Sequence, residues 1–333
     1  MKIAVYSPEN SPMSYTIIRQ NVCAFLEERG AEILYFSKPE LLPDTAEIVW
    51  DPNAGGGFIP NIRREHTDKP IVATVHGARL FALPVGVLKN KNLSVLKILR
   101  FRFQQKRLWK KYMNDYAAIV PVSDYSGYEL HKYLKIPYRK IHRIYNAVDH
   151  SVFKAIENPR RDYFLHISEY QPVKNLDRII KAYIKAADKA DIPDFWIFSR
   201  NFPKKNIHPK IKILDSRYRS DQEIAELYQN AYAFLFPSLH EGFGIPIIES
   251  MACGTPVITS DSTACPEVAQ GAAFTVNPKS AAEISQAILQ LSKDNQLYSE
   301  LSQKGKLRAA DFSWDETGNA YLELFHKVGA ALS

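Results

Sequence analysis

Cysteine is scarce in this chain of 333 residues. Cys23, Cys253 and Cys265 are the only three, and their spacing fits no metal site. They read as reduced, packed thiols of a cytoplasmic protein rather than as a disulfide framework. No run is long and apolar enough for a membrane-crossing helix. The first residues, Met1–Ser7, hold too short an apolar stretch for a signal peptide, and a polar turn follows at Pro8-Glu9-Asn10-Ser11. Internal repeats and low-complexity tracts are missing. So is any Asp-x-Asp motif, and the 9 histidines show no ligand spacing, so no metal is expected. With 24% charged and 46% hydrophobic residues, disorder is excluded, and the length suits two α/β domains.

Acid is missing from one long segment. Between Ile71 and Asn114 there is no Asp or Glu, while Arg79, Lys89, Lys91, Lys97, Arg100, Arg102, Lys106, Arg107, Lys110 and Lys111 all fall there. Against a net charge of +7, that is a local positive block, which calls for an anionic partner. The spacing predicts a basic amphipathic helix over 92–112, with Leu93, Leu96, Leu99, Phe103, Leu108, Trp109 and Tyr112 among its cations. Such a helix suits an anionic membrane surface, or it is an ordinary domain helix with one solvated basic face. A nucleic-acid-binding protein is the distant alternative. It lacks any recognisable binding motif, so nucleic acid is not expected as a partner.

Strand and helix patterns alternate twice. In the first half, Lys2–Ser7, Ala31–Ser37, Glu47–Asp51, Pro70–His76, Ala117–Ser123 and Ile141–Val148 read as strands, and Tyr15–Arg29 as a helix stopped by Gly30. The polar stretch Glu157–Asp162 marks a boundary. Tyr163–Ser168 then restarts the alternation. Ser220 with Glu223 predicts a capping box, and Trp314–Val328 a closing helix. The division expected is 1–158, 159–312 and a final helix over 313–333. Two βα series mean two parallel sheets, with ligands at the carboxyl ends of their strands and a cleft between the domains.

The most informative stretch runs from Ser238 to Val257, Ser-Leu-His-Glu-Gly-Phe-Gly-Ile-Pro-Ile-Ile-Glu-Ser-Met-Ala-Cys-Gly-Thr-Pro-Val. A strand ends at Pro237 and a loop with two glycines follows. Pro246 then opens a helix at a position that tolerates a missing N–H. A helix N-terminus behind such a loop suits phosphate. Glu241 on the loop and Glu249 in the first turn can face different parts of one extended ligand. On pattern alone a plain turn, with Glu249 complementing the helix dipole, weighs as much.

Glu241 and Glu249, with seven residues between them, resemble the E-x7-E signature of the retaining group 1 glycosyltransferases, carbohydrate-enzyme family four. Glu-Gly-Phe-Gly-Ile-Pro, Ala-Cys-Gly-Thr-Pro-Val and Pro266-Glu267-Val268 are similar too. The resemblance runs from Tyr163 to about Phe312 and is weaker before that. It implies the GT-B fold, two Rossmann-like α/β domains with the donor mainly on the second and the last helix crossing back to the first. It implies that Glu241 binds donor-sugar hydroxyls and that the backbone of Gly242, Phe243 and Gly244, running into Ile245, holds sugar and phosphates. Glu249 would take the ribose. Lys174, followed by Asn175, would meet the diphosphate. His76, ahead of Gly77, would face the sugar from the first domain, although a strand-end histidine reads equally as packing. By position only, Tyr218 and Arg219 are expected near the base.

The sequence departs from the family pattern at Ser168-Glu169-Tyr170, where an arginine is usual. Lys174 and the helix N-terminus must then suffice, or Arg200 contributes. The activity implied is metal-independent, cofactor-free transfer of a hexose, with retention, from a nucleotide diphosphate sugar to a glycan or lipid-linked acceptor. That belongs to cell-surface glycan synthesis, with the enzyme cytoplasmic or peripheral at the inner membrane face. A GT-B sugar-nucleotide epimerase or phosphorylase is the alternative.

Overall fold

The structure, a computed structural model, describes residues 1–88, 93–203, 207–214 and 220–330. The chain divides into two compact units. One joins Met1–Ala147 to Trp314–Ser333, and the other is Val148–Ser313. The division precedes the polar stretch at 157–162 for a physical reason. Val148 N–H donates to the Phe312 carbonyl at 3.2 Å, and Gln229 Nε2 to the Lys154 carbonyl at 2.9 Å, so 148–154 is tied to the second unit.

The first unit runs β1 Lys2–Tyr6, α1 Met13–Glu28, β2 Glu32–Phe36, β3 Ile48–Ala54, β4 Ile71–Val75, α2 Arg79–Ala82, α3 Val85–Leu88, α4 Val95–Tyr112, β5 Tyr116–Pro121 and α5 Asp124–Leu134. Its strands pair in parallel in the order β2-β1-β3-β4-β5. No strand forms over 141–148. That segment borrows two bonds from the edge of β5, His142 N–H to Ile119 O at 2.9 Å and Ile144 N–H to Pro121 O at 3.1 Å, with one isolated bridge at Ile141.

The second unit runs β6 Tyr163–Glu169, α6 Leu176–Ala187, β7 Asp194–Arg200, β8 Ile211–Ile213, α7 Asp221–Gln229, β9 Ala231–Phe236, α8 Ile245–Ala252, β10 Val257–Ser260, α9 Cys265–Ala269, β11 Phe274–Val276, α10 Ala281–Lys293 and α11 Asn295–Ala309. The order is β11-β10-β9-β6-β7-β8, again parallel. The predicted capping box at the start of α7 is present, with Ser220 and Glu223 bonding each other's backbone. The last helix, α12 Trp314–Ala330, returns to the first unit.

Helices cover both faces of each sheet. This is why the strands are nearly continuous apolar runs rather than alternating ones. β4, Ile71–Val75, is buried throughout. On one face of the first sheet Ile71, Ala73 and Val75 pack with Ile98 and Trp109 of α4. On the other, Val72 joins Val22 of α1 and Phe325 of α12. The single polar residue of β4 is satisfied: Thr74 Oγ1 receives Trp50 Nε1–H at 2.9 Å and lies 2.8 Å from Tyr321 Oη.

Helix α4 begins at Val95, capped by Ser94; Asn92 lies outside the described residues. Its cations do not all face outward. Arg102 donates to the Leu80 and Leu83 carbonyls, and Trp109 is buried, with Nε1–H on the Gly57 carbonyl at 3.0 Å. Trp109 is therefore core and not a surface anchor. The outward side carries Leu96 at 80%, Leu99 at 47% and Phe103 at 65% exposure. Among the described residues no helix is long and apolar enough to cross a membrane.

Candidate active site

In the second sheet, the strand order reverses between β6 and β9, so ligands are expected where these two end. The chain leaving β6 makes a tight turn, Pro172–Lys174, and Asn175 takes a left-handed φ of 63° before α6. The chain leaving β9 is the Ser238–Gly244 loop. Leu239 N–H donates to the Val173 carbonyl at 2.8 Å, which zips the two together. Asn175 completes the lock. Its buried amide donates to Pro237 O at 2.8 Å and Pro278 O at 2.7 Å. The side chain expected to touch the donor is thus committed to holding the frame.

That frame brings Lys174 to Glu241. The ammonium donates to Oε1 at 2.8 Å and lies 5.0 Å from the centre of the Phe236 ring. Glu241 is nearly buried, at 9% exposure, and its own N–H donates to Thr263 Oγ1 at 3.2 Å. Gly244 has a φ of 106°, which L side chains rarely adopt, and a Cβ there would lie 2.9 Å from Ile247 Cδ1. This turn aims the chain into α8. Phe243 is buried against Phe312, ring centres 5.5 Å apart, so of the Gly242–Gly244 segment only backbone can meet a ligand. Ile245, half-buried, is the first helical residue, and Pro246 the second.

Glu249 is the fifth residue of α8 and so lies in its second turn, one turn later than the pattern implied. Tyr228 Oη donates to its Oε2 at 3.1 Å. Burial pushes this carboxyl up to about 7, the Tyr228 hydrogen bond opposes the rise, and the charge of Asp221 adds to it. Tyr228 was not legible as a site residue. Its only signal is its place near the end of a capped helix. His166 was missed as well. It is buried in β6, with Nδ1 2.7 Å from the Leu235 carbonyl and Nε2 2.8 Å from Ser168 Oγ. A carbonyl only accepts, so Nδ1 carries the hydrogen and Ser168 donates to Nε2. Burial holds this imidazole down to about 4, with Lys174 pushing the same way. It stays neutral and adds no second positive charge beside the lysine.

His76 belongs to the first unit, at the end of β4. Nε2 lies 3.1 Å from the Pro52 carbonyl, and burial lowers the imidazole to about 4. Tyr218 and Arg219 lie outside the described residues. Arg200 ends β7 opposite Glu169 in register. Among the described residues no group of three or more His, Cys, Asp or Glu side chains could hold a metal ion.

Residues 203–308 match the family model for glycosyl transferases group 1, and residues 33–152 match that for glycosyltransferase family 4. The chain carries group 1 glycosyltransferase domains. This glycosyltransferase is 27% identical over 286 residues to the O-antigen chain mannosyltransferase B of Escherichia coli, covering 79% of this chain and 72% of that one. It is 25% identical over 246 residues to the serotype-specific mannosyltransferase WbdA of Escherichia coli, covering 65% of this chain but only 30% of the relative's length. Among solved structures, the sucrose-phosphate synthase of Thermosynechococcus elongatus superposes with a TM-score of 0.78 at 14% identity, covering 99% of this chain and 100% of that one. That likeness concerns the fold alone.

Proposed function

We propose that this glycosyltransferase moves a hexose, with retention and without a metal or cofactor, from a nucleotide diphosphate sugar to a glycan or lipid-linked acceptor. The observation that carries the reading is the pairing of Lys174 with Glu241 beside the Gly244 turn and the start of α8. A diphosphate leaving group needs positive charge where its own charge grows. Lys174 and the positive end of the α8 dipole supply it. Donor-sugar hydroxyls need acceptors, and Glu241 supplies them. Glu249 takes the ribose in the same way. With no protein nucleophile required, the acceptor hydroxyl enters on the face the diphosphate leaves, and a diphosphate oxygen takes its proton. The protein contributes position and a fixed field.

The reading of the acceptor side is supported by α4. Leu96, Leu99 and Phe103 make one exposed stripe, flanked by exposed Arg100, Arg107 and Lys110. Such a face suits an anionic lipid surface, which supports the reading of an enzyme that works at the cytoplasmic side of a membrane. Mannose, the sugar in the names of the relatives, is the first hexose to test. The deciding experiment is a thermal-shift screen with UDP-, GDP-, ADP- and dTDP-sugars, followed by transfer assays in chelator. One nucleotide class should raise Tm. Turnover should persist in chelator, and the product should keep the donor's anomeric configuration. No stabilisation by any donor, or an inverted product, overturns the proposal.

A further inference from the structure

In the first sheet the strand order reverses between β1 and β3, and the residues leaving those strands meet at His76. Tyr15, in the first turn of α1, lies flat on the imidazole, with ring centres 3.7 Å apart and planes 10° apart. The hydroxyl end of Tyr15 sits over Gly55, where a Cβ would come within 1.8 Å of Oη. Only glycine leaves room for the ring there. The Pro52 carbonyl takes Nε2–H of His76 at 3.1 Å, and the Ala54 carbonyl takes its backbone N–H at 2.9 Å.

The support behind these contacts is itself fixed. Asn53 Nδ2 donates to the Tyr6 carbonyl at 2.7 Å, and Ser11 Oγ donates to Asn53 Oδ1 at 2.8 Å. The buried Asp51 carboxylate accepts from the N–H groups of Asn53, Asn61 and Ile62. A carbonyl can only accept, so Nε2 is the protonated nitrogen and Nδ1 of the neutral ring remains an acceptor.

We propose that Tyr15 is a positioning residue: stacked on His76 over Gly55, it locks the imidazole so that Nδ1 is offered to a hydroxyl of the reacting sugar or its acceptor. This rests on reading His76 as a site residue. Without the stack, the ring can turn about its Cβ–Cγ bond, exchange Nδ1 for carbon, and admit water. The charged groups bordering the assembly are Arg79, whose side chain lies against Gly56 and acts on Tyr15, Asp51, held by its three N–H donors, Arg19, whose Nη1 donates to Ser11 Oγ at 3.4 Å, and the buried Glu129, which accepts the Ala78 N–H at 3.0 Å. Burial is the main influence on His76 itself.

The test is steady-state kinetics from acid to neutral pH on Tyr15→Ala, Tyr15→Phe, Gly55→Ala and His76→Ala, with Tm measured for each. Tyr15→Ala and Gly55→Ala should lower kcat by about 10- to 100-fold while leaving donor KM nearly unchanged. Their acid limb should climb from about 4 toward the ordinary histidine value of 6.5. Tyr15→Phe should keep wild-type kcat and profile. If Tyr15→Ala does not fold, Tyr15→Leu carries the same test. A His76→Ala enzyme with normal kcat sinks the reading of His76. An impaired His76→Ala beside a normal kcat and acid limb in Tyr15→Ala and Gly55→Ala overturns the positioning role alone. So does a Tyr15→Phe enzyme as impaired as Tyr15→Ala.

Discussion

Lys174 and Glu241, 67 residues apart in sequence, are joined by a single hydrogen bond of 2.8 Å. Each satisfies the other. On the proposed reading a bound donor takes both, with phosphate on the ammonium and hydroxyls on the carboxylate. Lys174→Ala is expected to lower kcat by about 10²–10³-fold, the usual cost of removing one charge-stabilising group. Glu241→Ala should do comparable harm. The double variant should lose far less than the product of the two, because the residues act as one unit. Rate measurements on the three proteins decide it, and full multiplicativity sinks the idea of a unit.

If Glu249 takes the donor ribose as proposed, donor binding depends on pH. With its carboxyl raised to about 7, it holds a proton below that pH and becomes a full acceptor above it. Affinity for an intact nucleotide sugar should therefore rise about tenfold from about pH 6 to 8. Glu249→Gln should flatten the curve. Calorimetric titration of both proteins checks this, and an equally steep curve in the variant removes Glu249 as the cause. For folding itself the sign reverses. A raised carboxyl stabilises the fold below 4.5, and that stability is lost as pH rises through about 7. His76 and His166, both lowered to about 4, act the other way, costing stability as pH falls from 6.5.

Gly244→Ala combines two penalties, a left-handed φ of 106° and a Cβ 2.9 Å from Ile247 Cδ1. The backbone strain alone costs about 1–3 kcal/mol. We expect a lower denaturation midpoint and weaker donor binding together. Unchanged donor affinity in a destabilised protein would detach this turn from the ligand.

Leu96→Glu with Phe103→Glu alters only exposed side chains of α4, so Tm should change little. Flotation with vesicles containing anionic lipid should nevertheless drop sharply for the variant. Equal flotation of both proteins, or none by the parent, ends the membrane reading.

Tyr321→Phe removes one buried hydroxyl from the Thr74–Trp50 cluster. The expected loss is about 1–2 kcal/mol in chemical denaturation, as for a buried polar group left short of a partner.

Much of this was legible in the order of residues. Apolar runs such as Ile71–Val75 and turn residues such as Gly244 report their own environment directly, so strands and the glycine loop could be read locally. The pairing of Lys174 with Glu241 is a long-range product of strand order, and no local pattern carries it. The bracing role of Asn175 was not legible because a polar residue beside a ligand and one bracing a loop look alike in sequence. Trp109 misled because periodicity shows that a helix has an apolar face but not which of two such faces is buried. His166 and Tyr228 were invisible for the opposite reason: each gains its role only from a neighbour on another strand or helix.

The return of α12 to the first unit has a consequence for biosynthesis. Domains usually finish folding in the order in which they leave the ribosome. Here the segment from Val148 to Ser313 forms one unit, while the segment before it stays unfinished until Trp314–Ala330 arrives to cover Trp50 and Val5. The later half can mature first, and the earlier half must wait with apolar strands uncovered. Nascent chains halted before α12 are therefore the ones expected to need a chaperone.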